Sequence, residues 1–394
     1  MGRPRRQGDL VVLMIAMKNR ELIAFRAPFP SFAANKMFEA VHHIHVGDST
    51  HWMQPYKFLR ATALTQGLEL QTEDMLDLNS ASVLILLELP TSIRDLEAIR
   101  KKYPHLKIIL QILETPVGRL WTFDEVNHRC FDAVLTYNER LREKAGYFIY
   151  KIPAGGLESW DKTAVHGLPW ESRKTACIVS NAPNLPPRFP RRKGLGLLRA
   201  GWRFTPHTWW NYVTEGGSLQ RQRLSVATHL ARAFPSDFDI YGPAWDQLKD
   251  SKIVDSWKGP WLGSKLDLLG RYKFNIAYEN CDNDVGYISE KIFDAFLSGS
   301  VPVYLGNQRI EEWVPPASFV DARGFPPRQI GNFLKGISQE KWNDMREAGD
   351  KFMSNAAQKY FGAAQYANAV ISAISYVMRN QDSRFNAVDP KLYS

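Results

Sequence analysis

The residues best suited to chemistry are concentrated between positions 273 and 306, in the segment KFNIAYENCDNDVGYISEKIFDAFLSGSVPVYLG. Two glutamates, Glu279 and Glu290, can accept hydrogen bonds from hydroxyl groups, and Lys291 carries a full positive charge. Lys291 falls at the start of a predicted helix, where free backbone N–H groups attract anions. A lysine at such a helix end predicts a ligand that bears phosphate.

The pattern around these residues predicts a strand, a loop, a helix and a second strand. Residues 274–278 and 301–305 are short apolar runs typical of buried strands, and the polar residues 279–286 suit a loop. The helix opens at Ser289, and its apolar side chains recur on one face until Gly299 ends it. Such a βαβ unit places ligands outside the carboxyl ends of its strands.

The same segment resembles the signature of the α1,3/4-fucosyltransferases, glycosyltransferase family 10. The looser resemblance runs from about residue 62 to 352, and the first sixty residues carry no recognisable part of it. The signature positions matched are Phe274, Asn275, Glu279, Asn280, Tyr287, Ser289, Glu290, Lys291, Asp294, Ala295, Gly299, Val301, Pro302, Tyr304 and Gly306.

Upstream of the signature, Glu114 is the candidate general base. Apolar runs at 82–87 and 107–113 flank a helical pattern at 92–103, and this alternation predicts a doubly wound parallel sheet. Glu114 directly follows the second run, so its side chain is expected to face the crevice at the strand ends. Glu114-Thr115-Pro116 resembles the Glu-Ser-Pro of the family. The plainer alternative is an exposed acid after a strand.

The resemblance implies that Lys291 and Arg223 bind the diphosphate of a nucleotide sugar. Arg223 matches the family's arginine seven residues before a leucine, here Leu230. A guanidinium at a helix start can direct two N–H groups at phosphate oxygens. Arg221 is the rival candidate, and a solvated surface charge is the alternative for either arginine.

The resemblance also implies contacts to the sugar and the base. Glu290 is expected to accept from ribose or fucose hydroxyls, although an acid at this helix position is favourable by the helix dipole alone. Tyr287 would pack on the sugar or the base, or serve as a core residue. Glu279 and Asn280 would position fucose, or only cap the loop.

The fold implied is α/β of the GT-B type, with two Rossmann-like domains facing across a cleft. Residues 8–160 would form the acceptor-binding domain and 172–355 the GDP-fucose-binding domain. Residues 356–394 would form a helix and tail that pack back on the first domain. The apolar stripe along residues 363–379 suits that closing helix.

The implied reaction is an inverting transfer of L-fucose from GDP-β-L-fucose to a glycan hydroxyl, in α1,3 or α1,4 linkage. A GlcNAc-containing acceptor is expected, and N-acetyllactosamine and a bacterial surface polysaccharide both stay open. The products would belong to lipopolysaccharide biosynthesis or protein glycosylation. Two alternatives remain: an inactive protein of this fold that binds glycans or nucleic acid, and a transferase that uses another nucleotide sugar.

No cofactor or metal is expected to be required, with Mn²⁺ or Mg²⁺ left as potential stimulators. The acidic residues Asp282 and Asp284 lie inside the signature loop, and the family reading does not need a cation there. His42, His43 and His45 lack a cysteine or carboxylate at ligand spacing, which disfavours a metal site. The three cysteines are far apart, so they indicate neither a disulfide framework nor a metal-binding pair.

Composition is compatible with an anionic ligand and with a chain that has no membrane span. The net charge of +9 suits a nucleotide, nucleic acid or an acidic membrane surface, although by itself a simple solubility property is the favoured explanation. Under the family resemblance, nucleic acid is not an expected partner. No apolar run approaches the ~20 residues that span a bilayer, and residues 10–17 read as a strand or a peripheral anchor. With no N-glycosylation sequon, we expect a cytoplasmic bacterial protein, at most peripheral to the inner membrane.

Residues 182–220 form an insertion relative to the shorter loop of the family. The stretch combines a basic run at 188–193 with Trp202, Trp209 and Trp210. Such a mixture could bind an acceptor or an anionic surface, and an ordinary surface loop without a binding role is an equal alternative.

Overall fold

Two parallel β-sheets organise the chain in a computed structural model. The structure describes residues 20–26, 29–39, 50–115, 117, 120–157, 168–183, 201–203, 205–214, 217–283 and 285–380. Pro116, Asp284, the three histidines at 42–45, the apolar run 10–17 and the basic run 188–193 lie outside these residues.

The first sheet has six strands in the order β2-β1-β3-β4-β5-β6, all parallel. Its strands are β1 (Glu21–Arg26), β2 (Leu68–Thr72), β3 (Ala81–Leu87), β4 (Lys107–Gln111), β5 (Ala133–Thr136) and β6 (Tyr147–Ile149). Its helices are α1 (Lys36–Glu39), α2 (Gln54–Thr65), α3 (Ile93–Lys102) and α4 (Glu125–His128). Ser92 and Asp95 form a capping box that begins α3 where the pattern predicts a helix.

The second sheet has five strands in the order β11-β10-β9-β7-β8, again all parallel. They are β7 (Lys174–Val179), β8 (Phe238–Tyr241), β9 (Tyr272–Asn283), β10 (Val301–Asn307) and β11 (Val320–Asp321). The helices that follow the start of this sheet are α5 (Pro206–Thr214), α6 (Gln220–Ala233), α7 (Ser251–Ser256), α8 (Lys265–Leu269), α9 (Glu290–Leu297), α10 (Pro327–Lys335) and α11 (Gln339–Phe352). Two parallel sheets of this kind match the predicted pair of Rossmann-like domains.

Strand β9 is longer than predicted, and it includes residues expected to form a loop. The prediction ended the strand at residue 278, whereas β9 runs to Asn283. Leu219 N donates to Asn280 O (3.1 Å) and Asp282 N donates to Gly217 O (2.6 Å) on one side. On the other side Asn283 pairs with Asn307 of β10. These partners satisfy the backbone N–H and C=O groups of a polar stretch whose sequence does not show a strand pattern.

Strand β1 was not predicted, although it lies inside the first sheet between β2 and β3. Only Ile23, Ala24 and Phe25 are fully buried, and charged residues flank them on both sides. The apolar stretch 22–25 has only four residues, and periodicity cannot distinguish so short a run from a buried helical segment. Its position is set by pairing with two neighbours.

The described part of the insertion docks on the first domain. Trp202 is buried, and its Nε1 donates to Pro90 O (3.0 Å) after β3. The backbone of Arg203 exchanges two hydrogen bonds of 2.9 Å with the side-chain amide of Asn127. Residues 201–203, which follow β7, therefore connect the second half of the chain to residues around the first sheet.

The chain ends with helices α12 (Gln358–Phe361) and α13 (Ala363–Arg379), which follow a π-helical turn at Met353–Ala357. Helix α13 packs on the first sheet, where Tyr366, Val370 and Ile374 join the core that contains Phe25. Gln111 Nε2 donates to Tyr366 Oη (3.0 Å).

Among the helices within the described ranges, none has the length and apolar character to cross a membrane.

We predict that Ile374→Ala lowers the free energy of unfolding by ~2–5 kcal/mol, because it leaves a cavity beneath α13. Ile374 is fully buried, whereas Ser372 on the same helix is exposed and provides the control Ser372→Ala. Urea unfolding followed by circular dichroism measures both variants. Equal unfolding midpoints for the two would contradict the packing of α13 described above.

Candidate active site

The buried carboxylate of Glu279 links strand β9 to helix α9. Glu279 is fully buried, and its Oε1 accepts from Ser289 N (2.7 Å). Ser289 Oγ donates to Glu279 Oε2 (2.6 Å), and Ser289 is the N-cap residue of α9. The start of the helix is therefore fixed against the carboxyl end of β9.

Lys291 lies between two carboxylates at this helix start. Its Nζ is 3.3 Å from Glu290 Oε1, 3.7 Å from Glu279 Oε2 and 3.1 Å from Ser289 Oγ. The side chains of Lys291 and Glu290 are 19% and 26% exposed, so both can reach a ligand. This is the positive charge at a helix N-terminus that the sequence predicts.

Opposing effects set the ionisation of this cluster. Burial raises the pKa of Glu279, and the Lys291 charge offsets only part of that rise. Burial opposes the charged form of Lys291, but Glu290 and Glu279 outweigh it and the pKa of Lys291 is raised. Burial likewise opposes ionisation of Glu290, whose pKa the charges of Lys291 and Lys265 nevertheless lower. Lys291 therefore stays positive and Glu290 negative at neutral pH.

Gly306 on β10 is required by the close approach of Glu279. A Cβ at this position would lie 2.8 Å from Glu279 Cβ and 2.7 Å from Tyr304 Oη. Both neighbours are buried and neither can move away freely. The signature glycine thus makes room for the carboxylate that holds α9.

The structure distinguishes the two candidate arginines. Arg223, in the first turn of α6, is buried, whereas Arg221 is exposed. Arg223 Nη2 donates to Tyr278 O (3.0 Å), Glu279 O (2.9 Å) and Asn280 Oδ1 (3.1 Å). Within the described residues, these are the hydrogen bonds of its guanidinium, and all come from one nitrogen. Arg223 therefore holds the end of β9 by hydrogen bonds, and its positive charge lies near that of Lys291. Burial lowers the pKa of Arg223.

Tyr287 is a buried contact between the two halves of the chain. Its ring packs edge-on against Tyr137, with 5.1 Å between centroids. Glu139 N also donates to Val285 O (3.0 Å) in the same loop. Gly286 has a φ of +101°, and a Cβ there would lie 2.8 Å from Tyr137 O. The signature loop is thus fitted closely against the first domain.

Glu114 lies three residues beyond β4 and is exposed. Its carbonyl oxygen accepts from Tyr137 Oη (2.7 Å), so its peptide joins the same contact as Tyr287. The neighbouring Thr115 hydrogen-bonds to the Cys281 side chain of β9, although burial dominates and raises the pKa of Cys281 to about 12. The structure therefore places the Glu114 loop against the signature strand.

Sequence reasoning did not identify three charged residues near this interface, of which Lys151 and Glu88 are buried and Glu139 is partly exposed. Lys151 Nζ lies 2.6 Å from Glu139 Oε1 and 3.6 Å from the centroid of the Trp313 ring. Glu88 follows β3, and its carboxylate binds the Glu114 loop. The rule that selected Glu114, an acid directly after a buried strand, would also have selected Glu88. Lys151 and Glu139 carry no such local signal.

No group of three or more histidine, cysteine, aspartate or glutamate side chains suited to a metal occurs among the residues that the structure describes. Asp282 is exposed, and the side chain of Gln308 donates to it. Asp284 lies outside the described residues. The structure thus does not assemble a cation site from the part of the D-N-D sequence that it describes.

Comparison with known proteins gives a consistent result for the second half of the chain. Residues 211–346 match the family described as glycosyltransferase family 10 (fucosyltransferase), C-terminal part. An alpha-(1,3)-fucosyltransferase FucT of Helicobacter pylori is 39% identical over 79 residues, which is 20% of this chain and 15% of that protein. The 4-galactosyl-N-acetylglucosaminide 3-alpha-L-fucosyltransferase 9 of Mus musculus is 39% identical over 131 residues, 32% of this chain and 33% of that protein. These alignments therefore span a third or less of either relative.

A crystal structure of an alpha1,3-fucosyltransferase shares the fold of the whole chain. It superposes with a TM-score of 0.53 at 15% identity and covers 93% of this chain and 92% of that one. A crystal structure of an alpha1,3-fucosyltransferase with GDP-fucose superposes with a TM-score of 0.51 at 15% identity and covers 92% of this chain and 91% of that one. The likeness confirms the predicted GT-B fold.

We predict that Gly306→Ala destabilises the protein by ~1–3 kcal/mol, because the added methyl group overpacks the buried Glu279 side chain. Gly324→Ala is the matched control, since a Cβ there meets no atom within 4 Å. Thermal unfolding of the two variants provides the comparison. If Gly306→Ala were as stable as Gly324→Ala, the close packing of Glu279 against Gly306 would be contradicted.

Proposed function

Because residues 211–346 match the C-terminal part of glycosyltransferase family 10, we propose that the protein transfers L-fucose from GDP-β-L-fucose to a glycan hydroxyl. One observation carries the proposal. Lys291 stands at the capped N-terminus of α9, at the carboxyl edge of a parallel sheet, and the first domain presents Glu114 at the same interface. A diphosphate binder and a base on opposite sides of one cleft suit this reaction.

Donor binding would use the charges described above. Lys291 and the N–H groups of α9 would hold the diphosphate, and the buried Arg223 would add to the positive field. The Glu290 carboxylate would accept from ribose or fucose hydroxyls. Asn280 is held by Arg223, and Tyr287 by the Tyr137 ring, so both would shape the pocket wall.

In the chemical step, an acceptor hydroxyl would attack C1 of fucose while Glu114 takes its proton. The bond from C1 to the GDP oxygen breaks, and the electron pair leaves with the diphosphate. Attack from the face opposite to GDP inverts the β-linkage to an α-linkage. Lys291 would stabilise the charge that develops on the leaving group, and Glu114 would lower the barrier to attack.

A required metal is not part of this proposal. Lys291, Arg223 and the helix N-terminus supply positive charge where the diphosphate would lie, which is the task that a divalent ion performs elsewhere. Mn²⁺ or Mg²⁺ would at most stimulate the rate.

A GlcNAc-containing glycan is the proposed acceptor class. The mouse relative is named for transfer to a 4-galactosyl-N-acetylglucosaminide. For this chain, N-acetyllactosamine and a bacterial surface polysaccharide are the two candidates, and incubation with GDP-fucose on a glycan array chooses between them. The bacterial cytoplasm beside the inner membrane is the proposed location, on the sequence argument alone.

We predict that Lys291→Ala weakens GDP binding roughly ten- to a hundredfold, because a charge-assisted phosphate contact contributes ~1.5–3 kcal/mol. Calorimetric titration with GDP measures the affinity. Arg221→Ala removes an exposed positive charge from the same region of the chain and is expected to bind GDP as wild type does. Equal affinities for all three proteins would exclude the proposed donor site.

We predict that Glu114→Gln reduces transfer by ~10²–10⁴-fold, the usual contribution of a general base. Glutamine keeps the size of the side chain and removes its capacity to take a proton. GDP affinity is expected to stay unchanged, because Glu114 belongs to the other domain. The assay uses GDP-fucose and the acceptor found on the array. A folded variant within about threefold of wild type would rule out Glu114 as the base.

A further inference from the structure

Glu88 occupies an unusual position beside the candidate base. It follows β3 directly, is only 4% exposed, and has a φ of +77°, a left-handed conformation that glutamate rarely adopts. Its backbone N–H donates to Gln111 O (2.8 Å) at the end of β4. A buried carboxylate in a strained backbone conformation needs compensating contacts, and such strain clusters at functional sites.

The Glu88 carboxylate accepts hydrogen bonds from the backbone at Glu114 and at the residue before it. Its Oε1 accepts from Leu113 N (2.5 Å) and from Glu114 N (2.6 Å). Hydrogen bonds from N–H groups to a carboxylate are short and stronger than neutral ones. One oxygen therefore fixes two successive peptide groups where the chain leaves β4.

Tyr137 fixes the opposite side of the same residue. It follows β5, and its Oη donates to Glu114 O (2.7 Å). Since β4 lies between β3 and β5 in the sheet, the two neighbouring strands hold the Glu114 backbone from both sides. The Glu114 side chain itself is exposed. The backbone is thus held while the carboxylate remains accessible.

We propose that Glu88 is a positioning residue for the base, acting through the Glu114 backbone. The inference rests on the proposed fucosyl transfer. Glu88 itself is not a second base, because it is buried and its Oε1 is engaged with backbone N–H groups. Its role is to keep the Glu114 carboxylate in line with the acceptor hydroxyl while the donor site in the other domain is unaffected. A misplacement of the order of 1 Å at a reacting group can cost about a hundredfold in rate.

Three substitutions test the geometry. Glu88→Gln retains an oxygen at the same reach and is expected to keep kcat within a few-fold of wild type. Glu88→Asp retains the charge but is too short, and Glu88→Ala removes the acceptor, so both are expected to lower kcat about ten- to a hundredfold. The KM for GDP-fucose and the affinity for GDP are expected to stay unchanged. If Glu88→Asp were as active as Glu88→Gln, the inference would be overturned, even if Glu88→Ala did not fold.

A double-mutant cycle separates positioning from general stability. In the Glu114→Gln background the base is already absent, so a further Glu88→Asp substitution is expected to have no additional effect on the residual rate. A loss by the same factor in both backgrounds would indicate a merely structural role. If wild-type enzyme transferred no fucose, the proposed function would fail and this inference with it. Wild-type transfer with an unaffected Glu88→Asp variant overturns the positioning role alone.

Discussion

The arrangement of the candidate site depends on the burial of Glu279. An ionised carboxylate inside a protein is costly without partners, and here Ser289 provides both a backbone and a side-chain donor while Lys291 provides the opposite charge. These partners hold the start of α9 at the end of β9, and Gly306 leaves the space that the carboxylate needs. The positive charge of Lys291 is thus placed by a carboxylate that is itself fully buried.

The second constraint is the fit between the signature loop and the first domain. Tyr287 packs on Tyr137, and Tyr137 in turn donates to the backbone of Glu114. The buried Lys151 forms an ion pair with the partly exposed Glu139 beside this contact, and the Lys151 ammonium lies on the Trp313 ring of the second domain. A continuous series of contacts therefore joins the signature loop to the backbone of Glu114.

The first domain meets the end of the chain in a similar way. Helix α13, which follows the whole second domain, closes the core over the first sheet. Gln365 donates to Lys151 O (2.8 Å), so this helix also contacts the residue whose ammonium lies on the Trp313 ring. Residues 201–203 of the insertion reach the first domain as well. The two domains are consequently linked by a segment that follows β7 and by the helix that follows the second domain.

The sequence by itself determined the features that depend on neighbouring residues. The βαβ unit and the alternating strands and helices follow from local periodicity, and the resemblance of the signature to a family implied the GT-B fold. Only the tertiary structure decided where distant segments pair. The extension of β9 to Asn283 needs partners from residues 217–219 and from β10, and β1 is a strand because two neighbours hold it. The separation of buried Arg223 from exposed Arg221, and the contact of Glu88 with the Glu114 backbone, likewise arise from elements brought together by folding. Local patterns encode which face of an element is apolar, but burial and hydrogen-bond partners are properties of the assembled chain.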